Sequence, residues 1–420
     1  MKRIEKILKA KSVTVDDLIG IIGDDLLTSL SRELHADKGV IKLTTKSMFK
    51  LIVYSILDSE RLSLRIMEEN YIEPGYKAFC PETLDKSTAH SSLRDRLINL
   101  NAEYFEKIQI AVGKELQKHY TVSQLAHYNI KRYDSTMISV FSHLLEGMKV
   151  GNTSKKKNQV KMTTELVNDF EVRMRFFKDQ DHLGEEVALK ELIKSVTHQS
   201  NDLIVFDRGL KSRHTFCELK GLQTQFVTLL NDRNRYKVLR AHQELPTDAI
   251  DGLDFMEDNI AYLYGDGSKI VKEEFRVIKV NVKKSDKKIF FVTNILDLPA
   301  HQIAQIYRMR WEIEVFFRFI KQEMNLTHFV CNDVNTIKVM LYSILIVAML
   351  ILVYKKQNDI KSYKIAKIRF AAEIKASCIL DLIQTPEGLN IYKKCLLEQI
   401  EMERVLKKRK IKKTRIEAKT

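Results

Sequence analysis

At about Tyr128 the chain changes its hydrophobic period, and no other feature restricts its fold as strongly. Before that point apolar residues recur every three or four positions, in Val15–Leu30, Lys46–Leu57, Leu62–Glu69 and Ser91–Val112, the spacing of amphipathic helices. Ser87 or Thr88 is a candidate N-cap ahead of SSLRDRLINL, and Pro74-Gly75 marks a break. From Tyr128 the run YNIKRYDSTMISV alternates and is rich in β-branched and aromatic residues, as a strand requires. VKMTTELV and FEVRMRFF follow, with Asn168-Asp169 between them as a hairpin turn. Then come a helix over Glu185–His198, an apolar strand over Asp202–Phe206, a helix over Arg213–Gly221 and the strand TQFVTLL at 224–230.

Three strands, a helix, a strand, a helix and a strand form the opening order of a ribonuclease H-like α/β domain. Residues 231–292 interrupt that order with further alternating runs, AYLY, RVIKVNV and KIFFVTNI, and a turn at Gly265-Asp266-Gly267. The expected fold class is therefore α/β: a ribonuclease H-like catalytic domain with a β-rich insertion, plus a helical N-terminal domain and a helical C-terminal region. A chain of 420 residues exceeds one ordinary core. The boundaries read as 1–120 for a helical domain whose Lys46, Lys50, Arg61, Arg65, Arg94 and Arg96 suit DNA binding, an all-helical scaffold being the alternative, 121–355 for the catalytic domain with its insertion at about 231–292, and 356–420 for the C-terminal region. The last ends in a basic tail that includes Lys407, Lys408, Arg409 and Lys410.

A formal net charge of +15 points to a polyanionic partner, nucleic acid first and an acidic membrane second. Val339–Tyr354 is almost wholly apolar, yet it is shorter than a bilayer span and carries Tyr342 and Ser343, so a buried core helix is expected and no membrane partner. Cys80, Cys217, Cys331, Cys378 and Cys395 form no C-x-x-C pair, which suggests reduced thiols and neither structural zinc nor disulfides. With no apolar leader at the N-terminus, a cytoplasmic location is expected.

Residues 307–321, YRMRWEIEVFFRFIK, read as one amphipathic helix. Ile306, Met309, Ile313, Phe316 and Ile320 make its apolar face. Tyr307, Arg310, Glu314 and Lys321, at helical spacing, fall within a sector of about 60°, with Arg318 close to the same line. A phenol, a guanidinium, a carboxylate and an ammonium in a row suit a phosphodiester beside a carboxylate-held metal. A solvated charged face is the alternative.

Glu314 needs acidic partners to hold an ion. Asp134 lies within the first strand, where aspartate is disfavoured. Asp207 lies where the apolar strand ends, the place where ligands gather in open α/β sheets, although a turn or cap role would also explain it. Three carboxylates without clustered His or Cys favour Mg²⁺ or Mn²⁺, with two ions about 4 Å apart suited to in-line displacement.

These residues resemble the insertion-sequence-four family of bacterial DDE transposases. The helix is similar to that family's Y-x2-R-x3-E-x6-K signature at Tyr307, Arg310, Glu314 and Lys321, with Trp311 alongside. Asp134-Ser135-Thr136 and Asp207-Arg208-Gly209, with Phe216 downstream, resemble its two aspartate motifs. Val292-Thr293-Asn294 and Leu298-Pro299-Ala300 precede the signature helix as in the family, and the likeness spans roughly residues 60–355.

The resemblance implies a DNA transposase that cleaves insertion-sequence ends and joins the 3′-hydroxyls to target DNA. Asp134, Asp207 and Glu314 would bind the ions, and Tyr307, Arg310, Trp311, Arg318 and Lys321 would contact double-stranded DNA. It also implies terminal inverted repeats held by a transposase homodimer. A nuclease of the same fold that never joins strands, or an inactive DNA-binding relative, remains the alternative. Trp311 is the chain's one tryptophan. Stacking of a flipped base by the β-rich region would therefore fall to Tyr262, Tyr264 or Phe275.

Overall fold

The computed structural model describes residues 12–120, 128–139, 148–150, 157–167, 171–177, 180–195, 199, 201–231, 235–245, 250, 252–265, 269–285, 287–324, 330–331 and 333–417. The expected Asn168-Asp169 turn and the Asp266-Gly267 part of the later one lie outside them. The chain forms two compact units, Met1–Leu116 with Phe319–Thr420, and Gln117–Arg318. The sequence suggested three regions with boundaries near 120 and 355. Here the helices on both sides of the sheet-forming segment share one unit, because the apolar helix after residue 333 needs cover from both.

In chain order the first unit opens with α1 (Val15–Gly20), α2 (Asp24–Glu33), α3 (Thr45–Asp58), α4 (Leu64–Ile72), α5 (Pro74–Phe79), α6 (His90–Ile98) and α7 (Ala102–Tyr120). The expected helix over Val15–Leu30 is two, parted at Gly23. Ser91–Val112 is also two, because Asn101 turns its side-chain oxygen to the Glu103 N–H at 2.9 Å and starts a new helix. Pro74 opens α5 rather than ending a helix, its missing N–H being harmless in a first turn. Ala89, not Ser87 or Thr88, is the N-cap of α6, without a side-chain bond.

The second unit is built on strands β1 (Asn129–Ser139), β2 (Met148–Val150), β3 (Lys157–Val167) and β4 (Glu171–Phe177), then helix α8 (Glu185–Ser195), β5 (Asp202–Phe206), helix α9 (Arg213–Gly221) and β6 (Gln225–Leu230). β7 (Tyr236–Ala241), β8 (Leu253–Tyr264), β9 (Ile270–Val282) and β10 (Lys287–Thr293) follow. All join one sheet in the order β2-β3-β1-β5-β6-β10-β9-β8-β7, with β4 also on β3. β3 runs antiparallel to β1, whereas β1, β5 and β6 are mutually parallel. The supposed insertion thus continues the sheet: β10 returns antiparallel to β6, and β9 to β7 extend it outward.

Helices α10 (Ala300–Met309) and α11 (Trp311–Glu323) come next, then α12 (Val334–Gln357), α13 (Tyr363–Ile383) and α14 (Pro386–Glu417). The residues of the basic tail up to Glu417 continue α14.

Two apolar layers sandwich the sheet. Tyr133, Ile204, Phe206 and Phe226 pack with Leu189 and Ile193 of α8 and Phe216 of α9. Ile130, Leu203, Val205 and Val227 pack on the other face with Ile303, Ala304 and Ile306 of α10. Within the sheet, Arg276 and Asp258 are fully buried. Arg276 donates to both Asp258 oxygens at 2.9 and 2.7 Å, and to the carbonyls of Ile295 and Leu298 just ahead of α10.

In the first unit α12 supplies the core, from Val339 through Tyr354, as expected of the apolar run. Asn335–Gln357 is long and apolar enough to cross a membrane, yet 94% of its most apolar window is buried inside the protein. The Asp333 side chain caps α12 by accepting from the Thr336 N–H at 2.8 Å.

Candidate active site

Strand alternation decides which acids meet. Ile130, Arg132 and Asp134 share one face of β1, and Leu203, Val205 and Asp207 share the same face at β5 and its exit. The parallel register pairs Ile130 with Leu203, Arg132 with Val205 and Tyr133 with Phe206. Asp134 and Asp207 each follow the last registered pair, Tyr133 with Phe206, so both leave the paired stretch of these neighbouring strands at the same level. α10 covers that face. Each aspartate is oriented by the next residue's amide: Ser135 N–H donates to Asp134 Oδ1 at 2.9 Å, and Arg208 N–H to Asp207 Oδ1 at 2.6 Å.

The expected single helix over 307–321 is divided at Arg310. The Arg310 N–H donates to the Tyr307 carbonyl at 3.0 Å, and the Ile313 N–H donates to the Arg310 carbonyl at 3.2 Å. The backbone keeps helical angles, φ −57° and ψ −31°, but the bonds span three residues instead of four. In such a tightened turn side chains three apart eclipse. The Arg310 guanidinium therefore lies over the Tyr307 ring, 5.4 Å from its centroid. Tyr307 in turn meets Phe291 edge-on at 5.6 Å. Ile306, Ile313, Phe316 and Ile320 are buried as the helical pattern required, and Met309 is half-buried.

Arg310 is 8% exposed and pairs with Glu314 Oε1 at 2.7 Å. Its Nε and Nη1 atoms are buried without a hydrogen-bond partner. Burial alone would lower the Arg310 pKa, but Tyr307, Glu314 and Asp207 outweigh it and raise it. Burial pushes the Tyr307 phenol up to about 12; Arg310 opposes this, and Asp207 and Glu314 add to it. Asp207 and Glu314 thus act on the same Tyr–Arg stack.

Trp311 stands 55% exposed at the head of α11, Arg318 is exposed, and Lys321 is half-buried two turns beyond Glu314. Phe275 is fully buried in the core and so is closed to a base; Tyr262 and Tyr264 are half-buried. Two neighbours of the acids went unread in the sequence. Arg132 is wholly buried and donates to Glu312 Oε2 at 2.6 Å. The legible signal was Lys131-Arg132, consecutive cations in a strand covered on both faces, each needing a carboxylate. Lys131 finds Asp202 at 2.5 Å.

Oxygen donors alone suit a hard divalent cation. The two aspartates fit that requirement by register. The third carboxylate is turned to Arg310, and among the described residues no group of three or more His, Cys, Asp or Glu side chains is close enough to hold an ion.

Residues 128–350, more than half of the chain, match the family described as Transposase DDE domain. The chain belongs to that family. A candidate transposase for insertion sequence element IS4SA from Synechocystis sp. is 24% identical over 322 residues, covering 75% of this chain and 83% of that protein. A candidate transposase named y4zB from Sinorhizobium fredii is 26% identical over 168 residues, 40% of this chain and 46% of its own. The likeness drawn from the signature helix is thereby met: this is a DDE transposase of the insertion-sequence-four type, and its substrate class is DNA.

Proposed function

We propose that this transposase moves its element by cut and paste, cleaving the insertion-sequence ends and joining the freed 3′-hydroxyls to target DNA. The strand order β4-β3-β1-β5-β6, with β3 alone antiparallel among β3, β1, β5 and β6, supports a ribonuclease H-like core. Asp134, Asp207 and Glu314 would hold one or two Mg²⁺ or Mn²⁺ ions. Such ions supply Lewis-acid stabilisation of an in-line phosphoryl displacement.

The observation that carries the proposal is Arg310. A guanidinium shut away from water with unused N–H groups beside two acids is a phosphate receptor awaiting its anion. A DNA phosphate arriving there competes with Glu314 for the guanidinium and releases the carboxylate toward Asp134 and Asp207. Tyr307 stays a neutral phenol across the working pH range and donates to phosphate without adding charge. Trp311, Arg318 and Lys321 extend the contact along the DNA. Terminal inverted repeats would be held by two copies of the chain, so that each end meets one acidic cluster.

A strand-transfer assay tests this reading against its nearest rival. Pre-cleaved terminal-repeat duplex, supercoiled target DNA and Mg²⁺ should give joined product with the full chain and none with Glu314→Gln. Cleavage without joining would mark a nuclease. No reaction alongside tight end binding would mark an inactive DNA-binding relative.

A further inference from the structure

Arg132 is an unusual residue to seal under a helix. It is 0% exposed, stands two residues before Asp134 on the same strand face, and has Val205 as its register partner on β5. An apolar side chain packed on Val205 would serve stability at least as well, since desolvating a guanidinium offsets much of what its ion pair returns. The charge therefore needs another reason.

Its partner supplies one. Glu312 sits in the first turn of α11, two residues before Glu314, and holds Arg132 Nη1 at 2.6 Å. Residues two apart on a helix point roughly 200° from each other. The Glu314 carboxylate pairs with Arg310, so Arg132 acts, through Glu312, on the backbone that carries Glu314. The pair joins residues 180 positions apart, one on the strand of the first aspartate and one on the helix of the glutamate.

We propose that the Arg132–Glu312 ion pair is a positioning strut. It sets the height of the first turn of α11 over β1, and so the distance at which Glu314 can share a cation with Asp134 and Asp207. Neither strut residue contacts the DNA or the ion, and the inference rests on the proposed acidic triad.

Glu312 is 47% exposed on its side chain, so its replacement leaves the core packed. Full-length Glu312→Ala, Glu312→Gln and Glu314→Ala are compared with the native chain, each bound to a terminal-repeat duplex. Mn²⁺ affinity is read by electron paramagnetic resonance, end binding in metal-free buffer by gel shift, and folding by thermal melting. Loss of an outer-shell orienting partner typically weakens metal binding about 10- to 100-fold. That loss is expected for Glu312→Ala, with Glu312→Gln recovering part of it and metal-free end binding unchanged. If Glu314→Ala abolishes Mn²⁺ binding while Glu312→Ala leaves it native, with or without a fall in melting temperature, the strut is refuted and the triad stands. If neither variant changes Mn²⁺ binding, both ideas fall.

Discussion

Replacing Asp258 with alanine isolates the physics of the bolt beneath α10. Arg276 and Asp258 are both fully buried and meet through two hydrogen bonds of 2.9 and 2.7 Å. Alanine leaves the guanidinium without its counter-charge, in a place water does not reach. Removing one partner of such a pair costs about 3–5 kcal/mol, which is roughly 100- to 4000-fold in the folding equilibrium. In a unit of this size the transition should fall by about 6–20 °C, at 2–4 °C per kcal/mol. Trp311, the one tryptophan, belongs to the same unit. Urea unfolding followed by tryptophan fluorescence therefore reads the effect directly. Asp258→Asn keeps one acceptor and should lose less, and Arg276→Met with Asp258→Leu should regain most of the loss because no charge stays stranded. End cleavage should fall with Asp258→Ala below its melting point too, since Arg276 also grips the Ile295 and Leu298 carbonyls that launch the helix of Tyr307. A loss under about 1 kcal/mol, or a double variant worse than the single one, would refute the reasoning.

Arg310→Lys should weaken metal-free end binding by about 10-fold or more, because a point charge cannot fill the two buried N–H directions that Nε and Nη1 now occupy; a gel shift measures it, and native affinity would count against the phosphate role. Arg318→Ala should lower the slope of log K against log salt by about one, uniformly across DNA sequences. Tyr307 should titrate only near pH 12, so the difference in ultraviolet absorbance between the native chain and Tyr307→Phe stays flat through pH 10. Its raised pKa favours the neutral phenol, so that share of stability is complete below pH 10 and is lost as pH climbs through about 12.

Local pattern carried some elements to the residue. β5 and α9 match because a continuous apolar run ended by Asp207-Arg208-Gly209, and a Ser212 cap ahead of Arg213, are signals contained in a few positions. Which strands pair is not local. The alternating runs after residue 231 were legible as strands, but nothing in their period says that β10 returns to β6 and makes them one sheet. The tightened turn at Arg310 was hidden for another reason: no Gly or Pro marks it, and its dihedrals remain helical. Alternation put Asp134 on one strand face, and the end of the apolar run put Asp207 at a strand exit. The direction of the Glu314 carboxylate depends on Arg310 one turn away, and Arg132 depends on Glu312 far along the chain. Such pairings are written in packing, not in spacing.

Metal choice gives the most direct measurement of whether these acids share a cation. Thiolate binds Mn²⁺ far better than it binds Mg²⁺. Asp207→Cys should therefore cleave a terminal-repeat end in Mn²⁺ at a rate well above its rate in Mg²⁺, whereas the native chain uses both and Asp207→Ala uses neither. A cysteine variant equally dead in both ions, or an alanine variant as active as the native chain, would contradict the assignment.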